Sequence, residues 1–354
     1  MRLTVLNVSY PLAHVSPATA GGAEQVLLTL DQALVRSGHR SIVIAPAGSR
    51  THGLLLPIPR SAKNLDEQAK QRACSENAKA IQLALETFPI DLVHLHGIDF
   101  MEYLPPAEVP TIVTLHLPPS WYPSAAFNGE MPNLHRVCVS ESQRRACPPR
   151  AHIAAVIPNG VAAHPGPLPK KGNYVVSLGR ICPEKGFHLA LEAASHCDLP
   201  LLLAGEVFEY PEHGAYFEQW IKPRLRAPHK FLGPVGGERK RQLLAGARCL
   251  LISSSAQETS SLVAMEALAC GTPVIAFPNG ALPELVEHGR TGFLVNSVEQ
   301  MARAILDADL LDRNYCMRIA QERFAEQRMV ADYFGLYARA TSHAARQIEH
   351  EVPC

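Results

Sequence analysis

Short apolar runs rich in β-branched residues alternate with longer amphipathic segments along most of this chain. Strands that are buried on both faces have such runs, and the helical period of the segments between them predicts βαβ units. The fold class expected from this pattern is α/β, with two doubly wound parallel sheets. The predicted strands are 2–8, 40–45, 91–96, 111–116, 135–139 and 153–157 in the first half, and 173–178, 200–204, 229–232, 248–252 and 273–277 in the second.

A segment rich in Pro and Gly, 164–172, separates the two halves. Such a composition is unsuited to a helix or a central strand, so it predicts a linker. The chain has 354 residues, which is long enough for two domains. We therefore expect a first domain over 1–163 and a second over 173–327.

The overall charge and the cysteines exclude several classes of protein. Lys and Arg number 33 and so do Asp and Glu, which gives no electrostatic footprint for nucleic acid and leaves only local basic patches for peripheral membrane contact. The nine cysteines are odd in number and form no Cys-x-x-Cys pair, which argues against a disulfide framework and favours a reducing, cytoplasmic location. No stretch approaches the about 18 apolar residues of a membrane-spanning helix.

Two glutamates, Glu258 and Glu266, flank the start of a predicted short helix over 262–270. Glu258 lies in the strand-to-helix turn before it, at the carboxyl edge of a parallel sheet, and Glu266 lies about two turns along the helix, so both carboxylates are expected to face the same crevice. Free backbone N–H groups at the helix N-terminus between them form an anion site. Carboxylates on either side of a phosphate site suit a nucleotide sugar, in which polyol, phosphate and polyol follow one another.

Arg180 and Lys185 provide positive charge near a second strand end. Arg180 follows the predicted strand 173–178, and Lys185 precedes a helix that is expected to start near Phe187. A diphosphate between a guanidinium and an ammonium group is neutralised without a divalent metal. We therefore expect no metal in the site.

These motifs occur in one order with several others, and the chain resembles the family 4 retaining glycosyltransferases. The resemblance spans nearly the whole chain and rests on residues 21–24, 91–97, 114–116, 157–161, 179–180 with 185–186, 253–277, 280–286 and 289–295. It implies the GT-B fold, in which two Rossmann-like domains face each other across a cleft. It also implies an acceptor-side first domain, a nucleotide-sugar second domain, and a C-terminal helix, 328–354, that crosses back to the first domain.

The resemblance assigns donor contacts to the residues from Glu258 to Glu266. It implies that Glu258 binds hydroxyls of the transferred sugar and that Glu266 binds the ribose hydroxyls. It implies further that backbone N–H groups bind the sugar at Thr259, Ser260 and Ser261, and a phosphate at Leu262 and Val263. The family usually has Gly-Phe-Gly where this chain has Thr-Ser-Ser, which removes positive-φ freedom and puts the identity of the sugar in doubt.

Two first-domain residues take roles by the same resemblance. His116 ends the predicted strand 111–116 and is expected to contact the sugar ring or its hydroxymethyl group, without acting as a nucleophile. Gly22 opens the first helix, predicted over 22–37, and is expected near the donor phosphate and the acceptor. His94 and His96 are two residues apart on one predicted strand and share a face, so a zinc site that they form with His116 is an alternative.

The function implied is metal-independent transfer of a hexose from a nucleotide sugar, with retention, to a hydroxyl group of the acceptor. A UDP-sugar is favoured as the donor, with GDP- and ADP-sugars as alternatives. The acceptor is a saccharide, a lipid-linked group or a small molecule, and the aromatic segment 117–132 is either part of its site or a packed loop. The alternative functions are a nucleotide-sugar-binding protein without transfer activity, a disaccharide phosphorylase and a nucleotide-sugar epimerase.

Overall fold

The computed structural model contains two parallel β-sheets with helices, over residues 2–17, 19, 21–60, 66–128, 131–163 and 166–351, with side chains through 342. The strands are β1 (Thr4–Val8), β2 (Arg40–Pro46), β3 (Leu54–Ile58), β4 (Leu92–Leu95), β5 (Thr111–Leu115), β6 (Leu134–Cys138), β7 (Ile153–Val156), β8 (Val175–Leu178), β9 (Leu201–Ala204), β10 (Lys230–Phe231), β11 (Leu250–Ile252), β12 (Val274–Ala276) and β13 (Gly292–Leu294). The helices are α1 (Gly22–Arg36), α2 (Glu67–Thr87), α3 (Glu141–Ala146), α4 (Phe187–Ser195), α5 (Pro211–Tyr216), α6 (Gly237–Gly246), α7 (Leu262–Ala269), α8 (Leu282–Leu285), α9 (Val298–Asp307), α10 (Arg313–Arg323) and α11 (Glu326–Glu351).

The first compact unit contains Met1–Pro158 and Gln327–Cys354. Its seven strands have the order β3-β2-β1-β4-β5-β6-β7, and every described pairing is parallel. The order reverses between β1 and β4, so their carboxyl ends form a topological switch point, where ligands bind in such sheets. Helix α11 packs in this unit because Met329, Tyr333 and Tyr337 are buried in one cluster with Leu3 and Val5 of the sheet side.

The second compact unit contains Asn159–Glu326. Its six parallel strands have the order β10-β9-β8-β11-β12-β13, which reverses between β8 and β11. Helix α7 is buried against the sheet through Ala264, Met265 and Leu268, which belong to one apolar cluster with Val176 and Val274. Because α7 directly follows β11, its N-terminal end lies at the switch point of this sheet.

The division between the units falls after Pro158, before the end of the predicted first domain at 163. The reason is a bridge in which Val161 donates its N–H to the Phe324 carbonyl and accepts from the Glu326 N–H. Residues 159–163 therefore pack with the second unit. Of the predicted linker, 166–172 belong to that unit as well, and 164 and 165 lie outside the described residues.

Two strands are absent from the sequence prediction, and both lie at sheet edges. Strand β3 contains Pro57, which cannot donate a ladder hydrogen bond and is tolerated at an edge. Strand β13 has only the three residues Gly-Phe-Leu after a turn, which gives no periodic pattern. The predicted strands all appear, with ends that differ by a few residues, and helix 22–37 appears as Gly22–Arg36.

Candidate active site

The loop after β8 and the loop after β11 are joined by hydrogen bonds in the second unit. The Ser253 hydroxyl donates to the Gly186 carbonyl oxygen at 2.8 Å, and the Ser254 hydroxyl donates to the Glu184 carbonyl oxygen at 3.0 Å. The N–H of Ser255 donates to the same Glu184 oxygen at 2.8 Å. Gly186 has a φ of 61°, and a Cβ there would come within 2.3 Å of the Ser253 carbonyl oxygen. These hydrogen bonds therefore hold the two loops that are predicted to bind the donor together as one structural element.

This element brings Lys185 and Glu258 together. The Lys185 ammonium donates to Glu258 Oε1 at 2.5 Å, and only 10% of the glutamate side chain is exposed. The Glu258 carbonyl accepts from the Ala281 N–H at 2.7 Å, and a Cβ on Gly280 would come within 2.2 Å of that carbonyl oxygen. Gly280 has a φ of 64°, so glycine is required there both by conformation and by space. The backbone of Glu258 is fixed from one side and its carboxylate from the other.

Glu266 is paired with a lysine that sequence analysis did not single out. The Lys240 ammonium on α6 donates to Glu266 Oε1 at 2.5 Å, and about a fifth of each side chain is exposed, 19% and 20%. The only signal in the sequence is the basic run Arg239-Lys240-Arg241. A charge run on a helix does not tell which cation points to the sheet edge. Both glutamates of the Glu-x7-Glu pattern are thus in ion pairs.

The start of α7 leaves backbone donors between the two glutamates. The helix begins at Leu262, and the side chain of Ser261, its N-cap residue, makes no capping hydrogen bond. The first helical N–H groups, including that of Val263, are therefore not capped by that hydroxyl. Thr259, Ser260 and Ser261 all have negative φ, since Asp198 is the one non-glycine with positive φ among the described residues. The Thr-Ser-Ser sequence fits its loop without the glycines that the family usually has.

Arg180 is half-buried and follows the carboxyl end of β8, in the same loop as Lys185. The backbone leaves β8 through Gly179, which donates to the Ala204 carbonyl at 3.1 Å. Burial and then the positive charge of Arg180 lower the pKa of His213 on α5. His213 therefore stays neutral beside Arg180 at neutral pH.

In the first unit, His116 follows β5 and contacts His96, which follows β4. His96 Nδ1 and His116 Nε2 are 3.1 Å apart, and the angle between the planes of the two rings is 20°. Burial lowers the pKa of His116 to about 3 and lowers the pKa of His96 well below its usual range. Both rings are therefore neutral at physiological pH. A neutral imidazole donates through one nitrogen and accepts through the other.

The zinc site considered for His94, His96 and His116 is not supported by the contacts. His94 Nδ1 is 2.8 Å from the Tyr337 hydroxyl, and His94 Nε2 is 2.8 Å from the Thr114 hydroxyl. Both nitrogens of His94 are occupied, so the ring acts as a buried hydrogen-bonding group within the unit. Within the described ranges, no group of three or more His, Cys, Asp or Glu residues has the arrangement of a metal site.

Backbone on either side of His116 is held by Gln143 of α3. The Gln143 side-chain NH2 donates to the carbonyl oxygens of Leu115, at 2.6 Å, and Leu117, at 2.9 Å. The side-chain oxygen of Gln143 accepts from the Val139 N–H at 2.7 Å, so the amide is fully oriented. Nothing in the local sequence pattern distinguishes Gln143 from an ordinary helical glutamine, so this contact could not be predicted.

The aromatic segment 117–132 divides between packing and exposure. Tyr122 and Phe127 are buried and pack edge to face, with ring centroids 6.1 Å apart, whereas 45% of Trp121 is exposed. Two of the three aromatic side chains therefore belong to the core, which is the packed-loop alternative. Gly129 and Glu130 lie outside the described residues.

Gly22 begins α1, as expected for the glycine pair after β1. Gly21 is the N-cap residue, and its carbonyl accepts from the Gln25 N–H at 3.2 Å. A Cβ on Gly21 would collide with the Glu24 carboxylate, whose side chain is buried and folds back over the helix start. The helix N-terminus thus has a carboxylate of its own beside it.

The chain contains one Asp-x-Asp sequence, a spacing that suits a divalent metal, at Asp307 and Asp309. It lies at the C-terminal end of α9, where the Asp309 carboxylate pairs with Arg248 at 2.5 Å. These carboxylates are not part of the β8 and β11 loops.

Among the helices of the described part of the chain, none is both long enough and apolar enough to cross a membrane.

Comparison with known proteins identifies the family. The model for Glycosyltransferase Family 4 matches residues 20–164, and the model for Glycosyl transferases group 1 matches residues 163–325. The chain therefore belongs to the family 4 glycosyltransferases and has the α/β two-domain fold of the GT-B type.

Individual relatives agree with this assignment. The chain is 27% identical to the phosphatidyl-myo-inositol mannosyltransferase of Mycobacterium tuberculosis over 308 residues, which cover 78% of this chain and 79% of the relative. It is 42% identical over 83 residues to the D-inositol 3-phosphate glycosyltransferase of Streptomyces scabiei, 23% of this chain and 18% of that one. Anabaena Alr3699/HepE, solved in complex with UDP and glucose, has the same fold, with a TM-score of 0.74 at 22% identity over 96% of this chain and 100% of that one.

Proposed function

We propose that this glycosyltransferase moves a hexose from a nucleotide sugar to an acceptor hydroxyl, with retention and without a divalent metal. The observation that supports this most is the pairing of Lys185 with Glu258 in one element at the switch point of the second sheet. It joins a cation suited to a phosphate with a carboxylate suited to sugar hydroxyls. A UDP-sugar is the favoured donor, and the protein of the same fold that was solved with UDP and glucose supports that choice.

The diphosphate binds to Arg180, Lys185 and the first N–H groups of α7 in this proposal. The Lys185 ammonium has three donors, and one of them is used by Glu258, so two remain for phosphate oxygens. Arg180 makes no ion pair with any other described residue, and its guanidinium adds a planar, bidentate donor. The two cations neutralise the diphosphate and stabilise the leaving group as its charge develops, so we propose that no metal is needed.

Glu266 binds the ribose hydroxyls, and Glu258 binds hydroxyls of the transferred sugar. Each carboxylate already has one oxygen in an ion pair, which orients it before the ligand arrives. An oriented carboxylate binds a diol with little further loss of side-chain freedom. Ser260 Oγ is buried without a hydrogen-bond partner among the described residues, and we propose that it forms a hydrogen bond with the sugar.

Retention follows from the chemistry that the site offers. His116 is held neutral by burial and donates or accepts a hydrogen bond without adding charge next to the sugar. The leaving phosphate takes the acceptor's proton, and the hydrogen bonds of His116 and Glu258 stabilise the oxocarbenium-like transition state. The acceptor then attacks from the face that the diphosphate leaves. Inositol-type and lipid-linked acceptors are the candidates that the names of the relatives suggest.

A two-stage experiment tests the proposal. Thermal shift with UDP-, GDP- and ADP-sugars identifies the donor, and the double variant Glu258→Ala/Glu266→Ala is the control that should show a smaller shift. The chosen donor is then incubated with inositol and sugar acceptors in EDTA, with inorganic phosphate in a parallel sample. We expect a product with the anomeric configuration of the donor at full rate in EDTA.

Other outcomes would point to the alternatives. Binding without transfer to any acceptor would indicate a nucleotide-sugar-binding protein. Product formed only with phosphate would indicate a phosphorylase, and conversion of the donor alone to an epimer would indicate an epimerase. Transfer that EDTA abolishes and Mg²⁺ restores would contradict the assignment of Arg180 and Lys185.

A further inference from the structure

The contact between His96 and His116 has two alternative proton arrangements. Both rings are neutral, so one of the two facing nitrogens carries a proton and the other accepts it. In the first arrangement His96 Nδ1–H donates to His116 Nε2. In the second, His116 Nε2–H donates to His96 Nδ1, and His96 must then carry its own proton on Nε2.

The far nitrogen of His96 distinguishes the two. His96 is only 2% exposed, and its Nε2 is buried with no hydrogen-bond partner among the described residues. Buried N–H donors without a partner are rare in folded proteins, and a buried acceptor lone pair is tolerated more readily. The second arrangement leaves an N–H in that position, whereas the first leaves only a lone pair. The packing around His96 therefore favours donation from His96 to His116.

We propose that His96 is a positioning residue: its Nδ1–H donates to His116 Nε2 and thereby holds His116 as the neutral Nδ1–H tautomer. The inference deepens the proposed function, because it rests on the assignment of His116 to the sugar. It adds that Nδ1 of His116 carries the proton and that Nε2 is not a base. The neighbouring His94 ring, whose centroid is 4.0 Å from that of His96, fixes the position of His96 in turn.

Two amide substitutions at position 96 separate a hydrogen-bonding role from a packing role. In His96→Asn the amide occupies the place of the imidazole Nδ1 and can donate to His116. In His96→Gln the amide reaches instead toward the place of Nε2, so that the donor to His116 is lost. The two variants have the same chemical group and differ only in where it lies. Urea unfolding checks that both are folded.

We expect His96→Gln to lower kcat by about 10- to 100-fold, as a small misplacement of a catalytic group does, and His96→Asn to recover most of that loss. Affinity for the nucleoside diphosphate should be unchanged in both, because its proposed ligands lie in the second unit. Equal activity of the two variants would overturn the positioning role, whether both are as active as the unsubstituted protein or both are equally impaired.

A spectroscopic measurement tests the tautomer without reference to activity. In ¹⁵N-histidine-labelled protein, the protonated and unprotonated ring nitrogens have well-separated chemical shifts, and His116→Gln assigns the His116 signals. We expect Nδ1 of His116 to be protonated and Nε2 to be unprotonated, and His96→Gln to change this pattern. A protonated Nε2 would overturn the inference. If the tautomer is as expected but no transfer is found with any donor, the proposed function fails and the hydrogen bond remains.

Discussion

The candidate residues of the two units differ in electrostatic character. In the second unit, two lysines and two glutamates form two close ion pairs around the start of α7, Lys185 with Glu258 and Lys240 with Glu266. In the first unit, His94, His96 and His116 are neutral because burial lowers the pKa of each. A charged diphosphate requires the first kind of environment. A hydroxyl acceptor and a neutral sugar ring suit the second.

Among substitutions outside the proposed ligand-binding side chains, the largest effect on the charged region is expected from a residue that has no charge. Gly280→Ala places a Cβ against the backbone of Glu258, so the carboxylate is displaced and kcat should fall by about 100-fold. The matched control is Gly289→Ala, which also has positive φ, 76°, but has no atom within 4 Å of the new Cβ. That variant should lose stability, by about 1–3 kcal/mol of backbone strain, and keep its kcat. Steady-state kinetics and urea unfolding of both variants provide the check.

Equal kcat values for the two glycine variants would show that the position of Glu258 does not matter for turnover. The electrostatic difference between the two units would then not bear on turnover. Loss of kcat in both variants, in proportion to their loss of stability, would have the same meaning.

The next effect concerns the cations of the diphosphate site. Arg180→Ala and Lys185→Ala should each weaken binding of UDP by roughly 1.5–3 kcal/mol, the range for hydrogen bonds to charged groups. Lys222→Ala is the matched control, because Lys222 forms an exposed pair with Glu218 in the same unit. Isothermal titration calorimetry measures all three. Unchanged affinity in both site variants would show that Arg180 and Lys185 do not bind the diphosphate.

A smaller effect is expected at Lys240. Lys240→Met leaves Glu266 without the partner that orients it, so UDP affinity should fall by about 0.5–1.5 kcal/mol. The effect should be smaller with 2′-deoxy-UDP, which lacks one of the hydroxyls that Glu266 is proposed to bind. If the substitution weakens both ligands equally, Lys240 acts through general charge and not through the carboxylate.

The smallest effect separates the units by pH. The pKa of each buried histidine is lower in the folded chain than in the unfolded one, so the unfolded chain binds more protons below about pH 6.5. The free energy of unfolding should therefore decrease as the pH falls from about 6.5 toward 4. His116→Asn should make that decrease shallower. Urea unfolding at several pH values measures both slopes, and equal slopes would mean that His116 is not buried as a neutral ring.

The sequence predicted the α/β fold because its apolar runs and helical periods agree with the strands and helices of both sheets. It missed the edge strand β3, whose Pro57 weakens the strand pattern, and the short strand β13. The sequence placed Lys185 and Glu258 after the ends of two parallel strands, and the strand order of the structure makes those strands, β8 and β11, neighbours at the switch point. The chain therefore encodes the location of this site at the level of topology.

The partners of the site residues could not be predicted in the same way. Lys240 is one of three consecutive basic residues, and only the packing of α6 decides which of them reaches Glu266. His96 contacts the His116 ring, and Gln143 contacts the backbone of the two residues next to His116, across loops whose course the sequence pattern does not define. Such contacts depend on tertiary packing, which the pattern of residues in a single sequence does not specify.

In the proposed function, Glu266 binds the nucleotide of the donor and Glu258 binds the transferred sugar. Calorimetric titration of Glu266→Ala and Glu258→Ala with UDP, followed by turnover at saturating donor, tests it most directly. We expect Glu266→Ala to weaken UDP binding by roughly 1.5–3 kcal/mol. We expect Glu258→Ala to bind UDP as well as the unsubstituted protein or better, since Lys185 is released, and to lose about 10²- to 10³-fold in kcat. Equal loss of UDP affinity in the two variants would contradict this division of the site.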